Sequence, residues 1–541
     1  MKPFTYTPLD LDRPAFRLFR LFKGSYASIS GELFQAWIDR PESIMPFEAL
    51  SYRWGEPVFT EMITLNKGWL NITKNLHLAL KSLRHRDCDR ILWIDAICID
   101  QDNPRERGHQ VQQMKDVYAA ADTVICWLGS ATYETNVLMQ SLKLLKQESM
   151  RCASGGWTNS NWSDLWSSIQ PVLEATYSDV MALQKAGFEA ILQEDWFKRV
   201  WIIQEVANAK RARVQCGDLS VSAQVFQLAP ELLSIRIEPH CKSILDVMPG
   251  KRRGTSWWIE SRDLYSLLKH FRGSEALDSR DMIFALLGIA SDLGENKHII
   301  ADYTKSAKDI TRDIIRHLYH VDLNLEFRGI KDFLYALESL NTDALISLIS
   351  STAGLDKMSE SIIRILQRGK DVYISQAVTG AAAQNMRNGE AIMSILFHHA
   401  KTNIPVTAEV VADATANNTQ GKEIVSFLFK HAKTEVPITA EVVTAAASNR
   451  MQGREIMSFL FQHAKKKIPI TAGVVTAAAA NGIQGKEIMT LLFQHAKQEI
   501  PITDTVVAAA AANSIQEVGA ATAVSSSAFT PKFRLHERMP Q

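Results

Sequence analysis

Ile91-Leu92-Trp93-Ile94-Asp95-Ala96-Ile97-Cys98-Ile99 carries a single charge among apolar side chains. A run this short and this apolar reads as a strand buried on both faces, the kind found in parallel sheets. The flanking sequence agrees. Upstream, Phe47-Glu48-Ala49-Leu50-Ser51-Tyr52 is a short strand ending at Trp54-Gly55. Met62-Ile63-Thr64-Leu65 and Trp69-Leu70-Asn71-Ile72 flank Asn66-Lys67-Gly68 as a hairpin. Thr73 caps a helix whose Leu76, Leu80 and Leu83 share one face. Downstream, Asp102-Asn103-Pro104 opens a helix with Val111, Met114 and Val117 as its inner stripe. Thr123-Val124-Ile125-Cys126-Trp127-Leu128-Gly129 is the next strand. Strands alternating with helices predict an α/β domain, a mainly parallel sheet with helices on both faces. Ligands of such sheets lie at the carboxyl ends of the strands. Here that edge carries residues 51–54 and 95–100.

The C-terminal third follows a different rule. Pro405, Pro437, Pro469 and Pro501 are spaced by 32 residues, and Gly389, Gly421, Gly453 and Gly485 keep the same interval. So do Thr407, Thr439, Thr471 and Thr503, and His399, His431, His463 and His495. Such a period signals stacked supersecondary units. Each unit reads as two helices: Thr439 caps the first, Gly453 breaks the chain, and residues 454–465 form the second with Ile456, Leu460 and Phe461 on one side. Proline in Ile468-Pro469-Ile470 stops it. Tyr373 and Ser375 fill the proline and threonine slots of a weaker copy, and Asp343 the threonine slot of another. The expectation is an α-solenoid of 32-residue helix pairs, a shape suited to a protein partner. Histidines one repeat apart are too far from each other to share a metal ion; each belongs at a helix C-terminus, where it meets the dipole. The units resemble ankyrin repeats in their threonine opening, Ala-Ala centre and Asn449 loop, but lack the T-P-L-H signature.

Composition narrows the function. Sixty basic and 59 acidic residues leave a formal charge of +1 in 541 residues, no electrostatic basis for a nucleic-acid partner. Six scattered cysteines without C-x-x-C pairing argue against a zinc site or a disulfide framework. No stretch of 18 apolar residues offers a membrane span, and the first residues lack a signal peptide's apolar core, so the expected location is cytoplasmic.

Several ordered motifs carry a resemblance. Leu50-Ser51-Tyr52-Arg53-Trp54-Gly55-Glu56, the 92–101 segment, Gln113-Met114-Lys115-Asp116-Val117-Tyr118 and Val124-Ile125-Cys126-Trp127-Leu128-Gly129 resemble the fungal heterokaryon-incompatibility (HET) domain. Trp196-Phe197-Lys198-Arg199-Val200-Trp201-Ile202-Ile203-Gln204-Glu205-Val206 resembles its closing motif. Ser279-Arg280-Asp281-Met282-Ile283-Phe284 and Asp302-Tyr303-Thr304-Lys305 are similar to the segments that follow it. The resemblance spans roughly residues 40–320 and implies an effector of self/non-self discrimination and programmed cell death. The expected organisation is a lead-in over 1–40, the HET domain over 41–215 with an insertion at 131–190, and a helical extension over 216–340. Ankyrin-like repeats over 341–515 and a disordered tail over 516–541 complete it.

HET domains in turn look like relatives of TIR domains, and in NAD-cleaving TIR enzymes a glutamate on the matching helix is catalytic. The resemblance therefore implies Glu205 as the catalytic residue and NAD as a substrate; no resident cofactor is assigned. A carboxylate against the ribose stabilises an oxocarbenium-like state, as in glycoside hydrolysis. Trp196, Val200, Ile203 and Ala207 form an apolar stripe, while Trp201, Glu205 and Asn208 lie on another side. Trp201 is then an indole able to stack on a base or nicotinamide. At the strand edge, Ser51, Arg53 and Trp54 are candidate ligand contacts, Arg53 for phosphate and Trp54 for stacking. Asp95 and Asp100 are candidates for a cation or ribose hydroxyls, or simply turn caps. No G-x-G-x-x-G or P-loop accompanies them. Two readings stay open: a cell-death effector that cleaves NAD, and a non-catalytic scaffold that acts by self-association of its HET domain.

Overall fold

The computed structural model describes residues 2–25, 28–56, 58–152, 159–293, 299–320, 323, 325–351, 354–368, 372–400, 403–464, 468–495 and 500–513. The tail expected over 516–541 lies outside them. The chain divides into two compact units, Met1–Ile314 with Glu326–Tyr335, and Ile315–Leu325 with Ala336–Gln541.

The first unit is built on one nine-stranded sheet. Its strands are β1 (Ala15–Leu21), β2 (Ser30–Trp37), β3 (Glu48–Tyr52), β4 (Glu61–Leu65), β5 (Gly68–Ile72), β6 (Arg90–Trp93), β7 (Thr123–Trp127), β8 (Ala212–Cys216) and β9 (Leu219–Ser222). They lie in the order β5-β4-β2-β1-β6-β3-β7-β8-β9. The expected mainly parallel sheet is a mixed one. Four pairings are parallel, β2–β4, β3–β6, β3–β7 and β7–β8. Four are antiparallel, β1–β2, β1–β6, β4–β5 and β8–β9. Two of these are the hairpins β4–β5 and β8–β9; the other two come from residues 1–40, expected as a lead-in, which supply β1 and β2, a hairpin inserted between β6 and β4. Its alternating Ala15-Phe16-Arg17-Leu18-Phe19 is buried throughout, because Arg17 forms a bidentate ion pair with buried Glu106. Inside the sheet, β6-β3-β7-β8 keeps a wholly parallel, doubly wound order.

Local chemistry explains most of the elements. The β4–β5 turn places Asn66 and Lys67 at φ 47° and 70°, the left-handed pair a two-residue hairpin needs. Thr73 accepts from Leu76 N at the start of the Lys74–Leu83 helix, whose Leu76, Leu80 and Leu83 are buried. Asn103 caps the Pro104–Ala120 helix and accepts from Arg105 N and Glu106 N. The apolar run that opens the sequence is a strand only as far as Trp93. Asp95–Cys98 is one helical turn, closed by hydrogen bonds from Ile97 N and Cys98 N to the Ile94 carbonyl. An apolar run without period suits a buried turn as well as a buried strand. The stretch expected as an insertion forms the helices Tyr133–Arg151, Asn159–Glu174 and Val180–Leu192, and the first of these packs against β8 and β9.

The second unit is a run of repeated helices. Gln376–Gln384 pairs with Gly389–His399, Ala408–Ala416 with Gly421–His431, Ala440–Ser448 with Gly453–His463, and Ala472–Ala480 with Gly485–His495. Asp504–Ala512 follows. Thr407, Thr439 and Thr471 cap the first helices as expected. Asp343 does not cap one; it sits inside the Ile330–Ser350 helix. Each first helix packs on the next first helix. Asparagines bind the units together. Asn449 Nδ2 donates to the Thr415 and Asn417 carbonyls, both at 2.9 Å, while its Oδ1 accepts from Met451 N and Gln452 N. Asn417 and Asn481 repeat the pattern. The repeat histidines stack on phenylalanines, His463 on Phe459 at 4.0 Å and His495 on Phe461 at 4.5 Å.

Candidate functional site

The carboxyl edge of β3, β6 and β7 collects most of the candidates. Ser51 is the fourth residue of β3 and fully buried; its Oγ accepts from Trp196 Nε1 at 2.9 Å. Arg53 pairs with Asp195, which Lys198 also holds at 2.7 Å. The hydrogen bond from Lys198, with Arg53 adding its charge, lowers the Asp195 pKa. Trp54 Nε1 donates to Asp95 Oδ2 at 2.8 Å. Burial raises the partly exposed Asp95, while Arg199 and the Trp54 bond pull it back. Arg199 donates to the Tyr52 carbonyl, so it ties the turn before the Trp201–Ala207 helix to the end of β3. Glu275 holds that turn from the other side, through hydrogen bonds with Lys198 O and Val200 N.

Glu205 lies beneath this edge. The Trp201–Ala207 helix packs on β3 and on the Pro104–Ala120 helix, and Trp196, Val200, Ile203 and Ala207 are buried as their spacing requires. Glu205 is itself 1 % exposed. Burial pushes its carboxyl up to about 7, against the pull of the Arg199 charge and of the Ser51 and Tyr118 hydroxyls. Its Oε2 is buried without a hydrogen-bond partner. The arrangement is a carboxyl raised above its ordinary range by burial, set among Ser51, Tyr118 and Arg199 and closed off from solvent.

Two candidates fall elsewhere. Asp100 is a turn residue: its Oδ1 accepts from Asp102 N and its carbonyl from Asn103 N. Trp201 donates through Nε1 to Asp281 Oδ2 at 3.1 Å, and Tyr303 donates to Asp281 Oδ1 at 2.6 Å. Its indole therefore joins the 196–206, 279–284 and 302–305 motifs to one another. Arg199, Asp195 and Asn75 were missed by sequence reasoning. Asn75 donates to Arg53 O and accepts from Trp127 Nε1 at 3.1 Å. For Arg199 a signal existed, a pair of cations, Lys198 and Arg199, set between Phe197 and Val200 in an otherwise apolar run. Among the described residues, no group of His, Cys, Asp and Glu is placed to hold a metal, and no helix is long and apolar enough to cross a membrane.

An α/β unit with a closed carboxylate under the carboxyl edge of its sheet, followed by a run of repeated helices, is the class these features define. Residues 47–205 match the family described as Heterokaryon incompatibility protein (HET), so the first unit carries a HET domain. The segments 366–393, 396–424, 428–457, 459–489 and 491–518 match a repeated domain of unknown function (DUF7104). The chain is 27 % identical over 351 residues to heterokaryon incompatibility protein 6, OR allele, of Neurospora crassa, a match covering 56 % of this chain. That match spans about half, 51 %, of the relative's length. No solved structure matches.

Proposed function

We propose that this protein acts in fungal self/non-self recognition and programmed cell death, with its HET domain as the output and its repeated helices as the surface that takes a protein partner. The observation that carries the reading is the HET match over 47–205, joined by the relative named for heterokaryon incompatibility. In this reading the protein works in the cytoplasm, partner binding gathers copies, and HET domains self-associate. The parallel β6-β3-β7-β8 order supports a TIR-like core.

NAD cleavage is the finer proposal. A carboxylate placed against the ribose stabilises the oxocarbenium-like state and orients its hydroxyls. Glu205 supports it with one oxygen that has no hydrogen-bond partner and with Arg199, whose charge favours the anionic form against the burial that raises its pKa. Its burial favours the rival reading, a HET domain that acts by self-association alone. In the catalytic reading some of the packing that buries Glu205 moves aside to admit the sugar. The test is NAD turnover by the purified full chain, clustered through a fused tag, beside Glu205→Gln. Under the catalytic reading turnover and cell killing fall together by roughly 10²-fold, as when a preorganised charge is lost. A folded Glu205→Gln protein that kills as the parent does would establish the scaffold reading.

A further inference from the structure

A pocket of about 480 Å³ opens at the ends of β7 and β8, within the range of small-molecule sites. Leu78, Lys81, Ser82, Trp127, Asn136 and Asp218 line it. Its place in the topology is telling. The chain passes from β3 to β6 on one side and from β6 across to β7 on the other, so the winding reverses between β3 and β7. The pocket lies one strand along from that reversal, at the carboxyl ends of the parallel neighbours β7 and β8, the edge on which open α/β sheets take ligands. Trp127 is the last residue of β7 and pairs with Tyr52, the last of β3.

The pocket is not the Glu205 site. Ser51 and Cys126 are register partners, and both lie in the field of Glu205. Successive strand residues point to opposite faces, so Trp127 looks the other way, toward Asn75 at the start of the Lys74–Leu83 helix.

Its groups are chemically complementary to one class of molecule. Lys81, exposed in the last turn of that helix, has no ion-pair partner among the described residues. Across from it, Asp218 follows Gly217, whose φ of 54° turns the chain back, and accepts from Ser82 Oγ at 2.9 Å. Asn136 brings a side-chain amide with no hydrogen bond of its own among the described residues. Leu78 and the edge of Trp127 supply apolar wall. A cation, a hydroxyl-oriented carboxylate, an amide and an apolar wall match a phosphate, a ribose diol, a base edge and a base face.

We propose that this pocket binds a mononucleotide, with Lys81 on the phosphate and Asp218 on the ribose hydroxyls. The site stands apart from Glu205, and its occupancy does not depend on whether the domain cleaves NAD. The experiment is calorimetric titration of the full chain with AMP, repeated with adenosine and with inorganic phosphate. Saturable binding of one AMP per chain is expected, weakened roughly tenfold or more by Lys81→Glu and by Asp218→Asn, as for loss of a charge-assisted contact. Lys81→Glu should leave adenosine binding unchanged, which a merely damaged fold would not do. Glu205→Gln should bind AMP as the parent does. Absence of saturable binding at millimolar AMP overturns the proposal. So does AMP binding indifferent to both pocket variants, displacement of AMP by phosphate alone at equal concentration, or loss of binding in Glu205→Gln.

Discussion

Glu205 shows what one residue's sequence context tells and what it withholds. Its spacing from Trp196, Val200, Ile203 and Ala207 correctly sets it off the apolar stripe. One helix's pattern cannot say what covers its other side, and here β3 and the Pro104–Ala120 helix bury it. The burial has a thermodynamic consequence. Its carboxyl moves from an ordinary 4.5 to about 7 on folding, so the folded chain holds the proton more tightly than the unfolded one. The associated stability is fully present below pH 4.5 and is lost as pH rises through 7. A Glu205→Gln protein lacks this term, so between pH 4.5 and 7 the parent should lose stability relative to the variant, by on the order of 3 kcal/mol. Paired denaturant melts across that range read the difference, and parallel pH profiles would show that the carboxyl does not titrate there. The Arg17–Glu106 pair was illegible for a related reason. Arg17 in an alternating strand reads as outward-facing, and its partner lies 89 residues away.

Elements with local causes were legible, and elements decided by distant contacts were not. The 66–67 turn, the Thr73 and Asn103 caps and the repeat threonines follow from side chains within a few residues of the backbone they serve. The strand direction of β1 and β2, and the change from strand to helical turn after Trp93, depend on neighbours that no local pattern names. Asn449 was visible as a loop residue, but its bonds to the preceding repeat were not. Those bonds predict a graded effect. Asn449 is 2 % exposed with four hydrogen bonds, so Asn449→Ala takes a partner from the Thr415 and Asn417 carbonyls, the latter keeping only Gly421 N, and from the Met451 and Gln452 amides. The cost should be about 3 kcal/mol, within the range for several buried polar groups losing partners together. Asn513, at the same register position, donates to Ala479 O at 3.2 Å and is partly exposed. Asn513→Ala should cost about 1 kcal/mol, the worth of one ordinary hydrogen bond. Chemical unfolding followed by far-ultraviolet circular dichroism ranks the two; equal effects would mean the asparagines do not bind the repeats together.

At the scale of the whole molecule the repeats and the sheet are built on opposite plans. The sheet draws β1 and β6, or β7 and β8, from far apart in sequence. The repeats touch only their neighbours, so their stability is a sum of units and interfaces. Removing one unit in register, residues 405–436, should therefore leave a folded array. Asn449 would then meet the Ala383 and Asn385 carbonyls that Asn417 now bonds. Gln452 would take the place of Gln420, which accepts from Glu390 N and donates to Arg387 O. Deleting residues 405–420 instead joins unlike positions and should unfold the neighbouring units, visible as a helical loss larger than the deleted length. The two deletions also separate the roles proposed for the two units. The in-register protein should still kill when overexpressed, because every strand of the HET-bearing unit precedes the deletion. Its response to the natural partner should change, because the surface offered to that partner is one unit shorter. A folded in-register deletion that answers the partner as the parent does would remove the repeats from recognition and leave them as a spacer.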